Sequence, residues 1–228
     1  IPLIITFIIF ILVAIQPDLG TALILLILGC LMIFFIGIRL IYPILIFFIM
    51  IAISPFLWTF LKPYQQSRVK TFLNPDLDPL GSGYHIIQSK IAIGSGGTRG
   101  NGFLGGSQSS LDFIPEKETD FVFSIFAEQF GFIGSIILIS IFTLLIIIPI
   151  IKSINIQNTF VKLAILGLSI KLLIEVVINI SMTLGILPVV GVALPFMSYG
   201  GSSLLSNMII CALIMNLMSV EKKFKYFR

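Results

Sequence analysis

Apolar residues fill six long blocks of this chain, and the polar residues are confined to the gaps between them. The blocks cover roughly residues 1–14, 20–38, 41–61, 124–151, 159–181 and 203–219. About 20 apolar residues suffice for a helix to cross a bilayer, so the blocks predict membrane-spanning helices, the first of them short for a span. The chain starts at Ile1 without an initiator Met and is expected to be a fragment whose start lies upstream, so the lack of a leader carries no weight. The pattern predicts an all-α polytopic membrane protein. It forms a single integral-membrane domain over 1–228, with a long loop over 62–123 inside it. A composition of 57% hydrophobic and only 11% charged residues agrees, because a soluble domain needs far more polar surface. Cys30 and Cys211 lie within apolar blocks, where they read as buried small hydrophobes rather than as metal ligands or a disulfide.

Charge fixes an orientation. The tail after the last block carries Lys222, Lys223, Lys225 and Arg228, and basic residues favour the cytoplasmic side. The short loops then assigned to that side hold Arg39, Lys152 and Lys162 and no acid. The 15–20 turn, the 62–123 loop and the 181–203 connection must therefore face outward together. Seven of the ten acids (Asp18, Asp76, Asp78, Asp112, Glu116, Glu118 and Asp120) lie in these outward segments. The net charge of +4 gathers mostly in the tail and is no nucleic-acid signal.

The outer loop is long for a connector, and such loops are usually functional or disordered. Its apolar and aromatic content disfavours disorder. KPYQQSRVKTFLNP places Gln65, Arg68 and Lys70 just past a span, and NPDLDPLGSG is a turn cluster. In YHIIQSKIAIG, Ile86, Ile87, Ile91 and Ile93 form a short helical stripe that would lie on the membrane surface, with Gln88 and Lys90 on the polar face. GSGGTRGNGFLGG has seven glycines in thirteen residues. It reads as a flexible lid or linker ahead of a phosphate-binding loop, since it lacks the strand–turn–helix setting of the latter. His85 reads as a packing or hydrogen-bonding group, because no Cys or second His stands nearby.

In IPEKETDFVF, residues 114–123, four ionisable groups precede an apolar block. Thr119 or Asp120 would serve as a helix cap, and acids suit the positive end of the helix dipole. The other reading makes Asp120, shielded at the membrane border, a carboxylate of raised pKa that takes a proton from a hydroxyl. Asp18 in QPDLG presents the same choice: a cap, or an oxygen ligand for a divalent cation beside an anionic substrate. Lys171 and Glu175, four residues apart within a span, are either a local ion pair or a functional pair. Glu128 is equally open.

Four stretches in order, IQPDLGTAL (15–23), DPLGSGYHIIQSKIAIGSGG (78–97), IPEKETDFVFSIFAEQFGFIG (114–134) and GILPVVGVALPFMSYGGSS (185–203), closely resemble the SEDS family (FtsW/RodA/SpoVE) of bacterial cell-wall polymerases. GYHIIQSK and GILPVVGV look more like the elongation branch, RodA, than the division branch. The resemblance implies about ten spans, so the chain is expected to be the C-terminal six-tenths and inactive alone. It further implies a peptidoglycan glycosyltransferase in the bacterial cytoplasmic (inner) membrane. That enzyme polymerises lipid II on the outer face for cell shape, beside a class B penicillin-binding protein. Asp120 matches the family's essential aspartate, and Asp18, Gln65 and Arg68 match its other polar positions. With Gln88, Lys90 and Arg99 these form the expected substrate contacts, and Asp18 is the expected ligand of a divalent cation, Mg or Mn. The family commonly has His where Glu118 stands here. The rival expectations are a lipid II flippase or transporter, or a non-catalytic scaffold.

Overall fold

The computed structural model describes residues 2–16, 19–37, 62–78, 81–103, 105–106 and 118–226, with scattered positions between 41 and 59. The helices are α1 (Pro2–Ile15), α2 (Leu19–Phe35), α3 (Pro63–Leu73), α4 (Ser82–Ser95), α5 (Val122–Ile154), α6 (Thr159–Thr183) and α7 (Gly201–Tyr226), with a 3₁₀ turn at Pro75–Leu77. Three of them are long and apolar enough to cross a membrane: Val122–Ile154, Thr159–Thr183 and the Gly201–Ser219 part of α7. Ile4–Ile15 and Gly20–Phe35 are shorter apolar helices. The block expected over 41–61 lies mostly outside the described residues, as do Asp18, Asp112, Glu116 and Lys117. The protein is an all-α polytopic membrane protein.

Each long helix divides into a lipid face and a packed face. On α5, Ile137, Ile141, Leu144, Ile148 and Ile151 are exposed at helical spacing, while Phe142, Ile146, Pro149 and Ser153 are buried. Phe142 and Ile146 join Ile165, Leu172 and Val176 of α6 and Ile210 and Ile214 of α7 in one core. A second core sets Ile24 of α2 against Leu166, Ile170 and Ile174 of α6 and Val192 beyond it. Lipid solvates apolar side chains as well as a protein core does, so close packing and polar contacts hold these helices rather than a hydrophobic gain. Lys171 is one such contact: Nζ pairs with Glu175 Oε1 at 2.8 Å and donates to Asn207 Oδ1 of α7 at 2.9 Å. Cys30, expected to be buried, is exposed on α2, and neither cysteine is in a disulfide.

The feature that organises the end of the bundle where α5 begins is a break in α5 at Gly131, whose φ of 66° and ψ of −163° leave the helical region. A continuous helix would pair Phe132 N–H with Glu128 O and Ile133 N–H with Gln129 O. Here those four groups meet the glycine-rich segment instead. Asn101 N–H donates to Glu128 O at 3.0 Å and Gly102 N–H to Gln129 O at 3.1 Å. Phe132 N–H donates to Gly97 O at 2.9 Å and Ile133 N–H to Thr98 O at 3.2 Å. The close fit requires glycine: a Cβ on Gly131 would collide with the Gly100 backbone, and one on Gly100 with Gln129 O. The expectation of a flexible lid is thus corrected over residues 97–102, which splint a broken helix. The break also has a scale. Beyond it, Phe132 to Ile154 is about 23 residues, enough to span a bilayer alone. The stub Val122–Phe130 is left free to take its own direction.

Gly131→Ala should therefore lower folding stability by about 1–3 kcal/mol, since the new side chain meets both an unfavourable φ and a backbone wall. Ser140→Ala, on an exposed stretch of the same helix, should stay within about 0.5 kcal/mol. Thermal unfolding of the full-length protein in detergent reads both; equal midpoints would show that the splint carries no stability.

Candidate functional site

Asp120 sits immediately before α5, and the elements around it explain its placement. The N-cap of α5 is Phe121, which offers no side-chain cap, so neither Thr119 nor Asp120 holds the position that the capping reading assigned to them. Phe121 is buried with Ala92 of α4, and Ile125 and Val189 pack on the pair. The Asp120 carboxylate lies over Gly191, where a Cβ would stand 3.5 Å from Oδ2. Gly191 has φ of 74°, so a side chain there would be strained. The carboxylate is half-buried.

The connection from α6 to α7, residues 184–200, is the hub of this end. Gly20, at the start of α2, abuts Val190; a Cβ there would be 2.5 Å from Val190 O. Lys90 of α4 lies against Gly185, where a Cβ would meet its Cε and stand 2.6 Å from Nζ. Ser89 Oγ donates to Thr183 O at 2.7 Å, fixing α4 to the end of α6. Ser198 Oγ donates to Thr119 O and accepts from Leu194 N–H, and Tyr199 N–H donates to Glu118 O at 2.7 Å. The start of α2, the end of the 62–123 loop and the 181–203 connection thus meet at one end of the bundle, as the charge distribution requires of segments sharing a side.

Asn179 of α6 ties this arrangement together. Fully buried, its Nδ2 donates to Asp120 O at 3.0 Å and to Val192 O at 2.7 Å. One amide thereby holds the backbone of the candidate base and that of the hub in register. The sequence reading missed Asn179 and Ser198, since a lone Asn in an apolar block and a Ser in a loop carry no local signal. An intramembrane amide facing an irregular connection is nevertheless a place where a buried donor is needed.

The other expected residues are distributed unevenly. Lys90 is exposed and lies against Gly185, six residues before the Gly191 that underlies Asp120. Gln88 is half-buried on α4. Gln65 caps its own helix, accepting from Lys62 N–H and donating to Tyr64 Oη, each at 2.9 Å. Arg68 is exposed on α3, a helix the sequence reading did not foresee, and α3 meets the 3₁₀ turn and α4. Pro63 at its first turn, with Gln65 accepting from Lys62 N–H, was the signal for it. The side chain of Arg99 is exposed beside the α5 break. On α4 the buried face is Ile86, Ser89 and Ala92, whereas Ile91, assigned to the apolar stripe, is 47% exposed. His85 packs on Phe121 with ring centroids 6.0 Å apart, as a packing group should. Glu128 is fully buried, with its carboxyl against Gly106.

Asn179→Asp keeps the size but removes the N–H donors, leaving two buried carbonyls short of a partner at a cost of about 1–3 kcal/mol. Limited proteolysis between residues 118 and 121 should accelerate roughly 5- to 150-fold in that variant. An unchanged rate would mean the amide does not hold the segment.

Similarity to known proteins shows the family. The family model of cell cycle proteins FtsW, RodA and SpoVE matches residues 1–223. The peptidoglycan glycosyltransferase MrdB of Escherichia coli strain K12 is 46% identical over 214 residues, 92% of this chain and 57% of the relative. The peptidoglycan glycosyltransferase RodA of Treponema pallidum is 45% identical over 157 residues, 69% of this chain and 36% of that one. A chain from a peptidoglycan synthase complex that coordinates polymerization and crosslinking superposes with a TM-score of 0.78 at 34% identity, over 97% of this chain and 61% of its own. A mutant of the rod shape determining protein RodA of Thermus thermophilus gives a TM-score of 0.61 at 25% identity, over 97% of this chain and 55% of its own. The chain spans about half the length of the curated relatives it matches. It belongs to the FtsW/RodA/SpoVE family of cell cycle proteins.

Proposed function

We propose that the protein is a peptidoglycan glycosyltransferase of the bacterial cytoplasmic membrane. It polymerises lipid II into glycan strands for elongation and rod shape, with its site on the outer face and a class B penicillin-binding protein beside it. The observation that carries this reading is the Asp120 carboxylate, placed over a side-chain-free Gly191 at the end of the bundle where three connections meet. The activities named for MrdB and RodA relatives support it.

Asp120 is the general base. It accepts the proton of the acceptor sugar's 4-hydroxyl as that oxygen bonds to the anomeric carbon of the donor, and the bond from that carbon to the lipid diphosphate breaks. Displacement from the opposite face inverts the centre, giving a β-linkage from an α-linked donor. A hydrolytic inverting glycosidase needs a second carboxyl to protonate its leaving group. A diphosphate leaves as a stabilised anion, so one base suffices if cations face the departing charge. Lys90, which lies against the Gly185 end of the connection whose Gly191 underlies Asp120, is the candidate on α4; Arg68, Arg99, Gln65 and Gln88 are proposed to contact the substrate as well.

A divalent cation, Mg or Mn, fits the same end in a limited way. Among the described residues no group of three His, Cys, Asp or Glu could hold one unaided. Mg²⁺ commonly takes one or two carboxylates plus substrate phosphates, and Gly20, two residues after Asp18, abuts the hub at Val190. Asp18 is therefore the proposed protein ligand, and the ion would neutralise diphosphate charge when bound.

In the full-length protein, Asp120→Asn should lower lipid II polymerisation at least about 100-fold, with membrane insertion and thermal unfolding unchanged. Chelation with EDTA should lower the wild-type rate, and added Mg²⁺ or Mn²⁺ should restore it. Undiminished glycan synthesis by Asp120→Asn would remove the general base from the account.

A further inference from the structure

We propose that Tyr199, with Phe196 three residues before it, is a sugar-stacking residue that receives one pyranose face of the lipid-linked glycan. This rests on the glycosyl-transfer reading above and names a contact within it.

Two features mark the segment. Phe196 is the one non-glycine residue among those described with positive φ, at 64°. For a bulky side chain that conformation is a genuine outlier, and it persists only where the surroundings over-determine it. They do so here. Leu194 is fully buried in the α5–α7 core. Met197 N–H and Ser198 N–H both donate to Leu194 O, at 3.2 and 3.0 Å, and Ser198 Oγ links Leu194 N–H to Thr119 O. Tyr199 N–H then donates to Glu118 O, two residues before Asp120. The Tyr199 backbone is thereby locked to the segment carrying the base.

The second feature is what this rigid backbone displays. The Tyr199 side chain is 79% exposed and that of Phe196 is 39% exposed, while Pro195 and Leu194 between the core and the tip are buried. A pyranose presents a face of C–H groups with slight positive polarity, which suits the negative face of an aromatic ring. A ring held on a fixed backbone loses little freedom when it stacks. An aromatic that only anchors the start of α7 in the headgroup layer would need neither the strained turn nor the bond to Glu118.

The test uses the full-length protein in detergent with a short-tailed, water-soluble lipid II analogue, so that seating in a bilayer plays no part. Tyr199→Leu should raise the apparent KM about tenfold with kcat within about twofold, and Tyr199→Trp should stay within about twofold on both. In an Asp120→Asn background, direct binding of the analogue should weaken by the same factor on Tyr199→Leu, which reads the contact without turnover. An unchanged KM, a fall in kcat alone, or equal shifts for Leu and Trp would overturn the proposal. If Tyr199→Leu does not fold, Tyr199→Gln at this exposed position takes its place under the same criteria. Failure of the wild-type protein to polymerise, or polymerisation by Asp120→Asn, overturns the underlying reading and with it this contact. An unchanged KM in a polymerising protein that loses activity on Asp120→Asn overturns the contact alone.

Discussion

A helix that breaks near the edge of a bilayer must find partners for the backbone groups it frees, because lipid offers none and each unpaired group costs several kcal/mol. At Gly131 that requirement falls on two carbonyls and two amides, and the segment 97–102 supplies a partner for each. The arrangement of the α5 stub follows from this. The break separates the spanning part of α5 from the stub Val122–Phe130, and the splint fixes the direction the stub takes. Gly96, at the end of α4, sits so close to Ala127 O that a Cβ would collide with it. The same glycine-rich chain therefore closes over the stub from its beginning. Glycine here provides close approach rather than mobility.

The second support comes from the other side of the stub. The 184–200 connection runs along residues 118–121 and bonds to the carbonyls of Glu118 and Thr119, while Asn179 bonds to that of Asp120. Three consecutive carbonyls of the segment carrying the acid are thus accounted for by named donors. The carboxylate itself projects over Gly191. A side chain whose backbone is held so completely loses little freedom when it meets a substrate, which is what a general base requires. Lys171 and Glu175 play a different part. They pair with each other and with Asn207 inside the bundle, which neutralises the charge locally and joins α6 to α7. An interior site of the transporter kind draws no support from that pair.

Hydropathy made the spans legible because the signal is local and long: α5, α6 and α7 lie where the apolar blocks place them. The helix over Ser82–Ser95 was also legible, although its buried face turned out to be Ile86, Ser89 and Ala92, with Ile91 outside. Ser89 is buried because it bonds to Thr183 O, ninety-four residues away, and no periodicity encodes that. The glycine-rich segment failed for the same reason. Its composition permits either mobility or close backbone contact, and the choice is made by carbonyls of Glu128 and Gln129 that a sequence reading assigns to a continuous helix. Asp120 was legible as a candidate, but cap and base were inseparable in the sequence; the N-cap of α5 falls one residue further on, at Phe121. Helix α3 was not legible, because its start rests on Pro63 and on Gln65 accepting from Lys62 N–H rather than on a Ser, Thr, Asp or Asn cap.

The central claim is that the break in α5 over residues 128–133 is braced by backbone pairing with the glycine-rich segment, and amide hydrogen exchange tests it most directly. In the full-length protein the amides of Asn101, Gly102, Phe132 and Ile133 should exchange as slowly as those in the interior of α5, such as Ile146. Exchange at the rate of open loop amides would mean that the break is not splinted and would contradict the account.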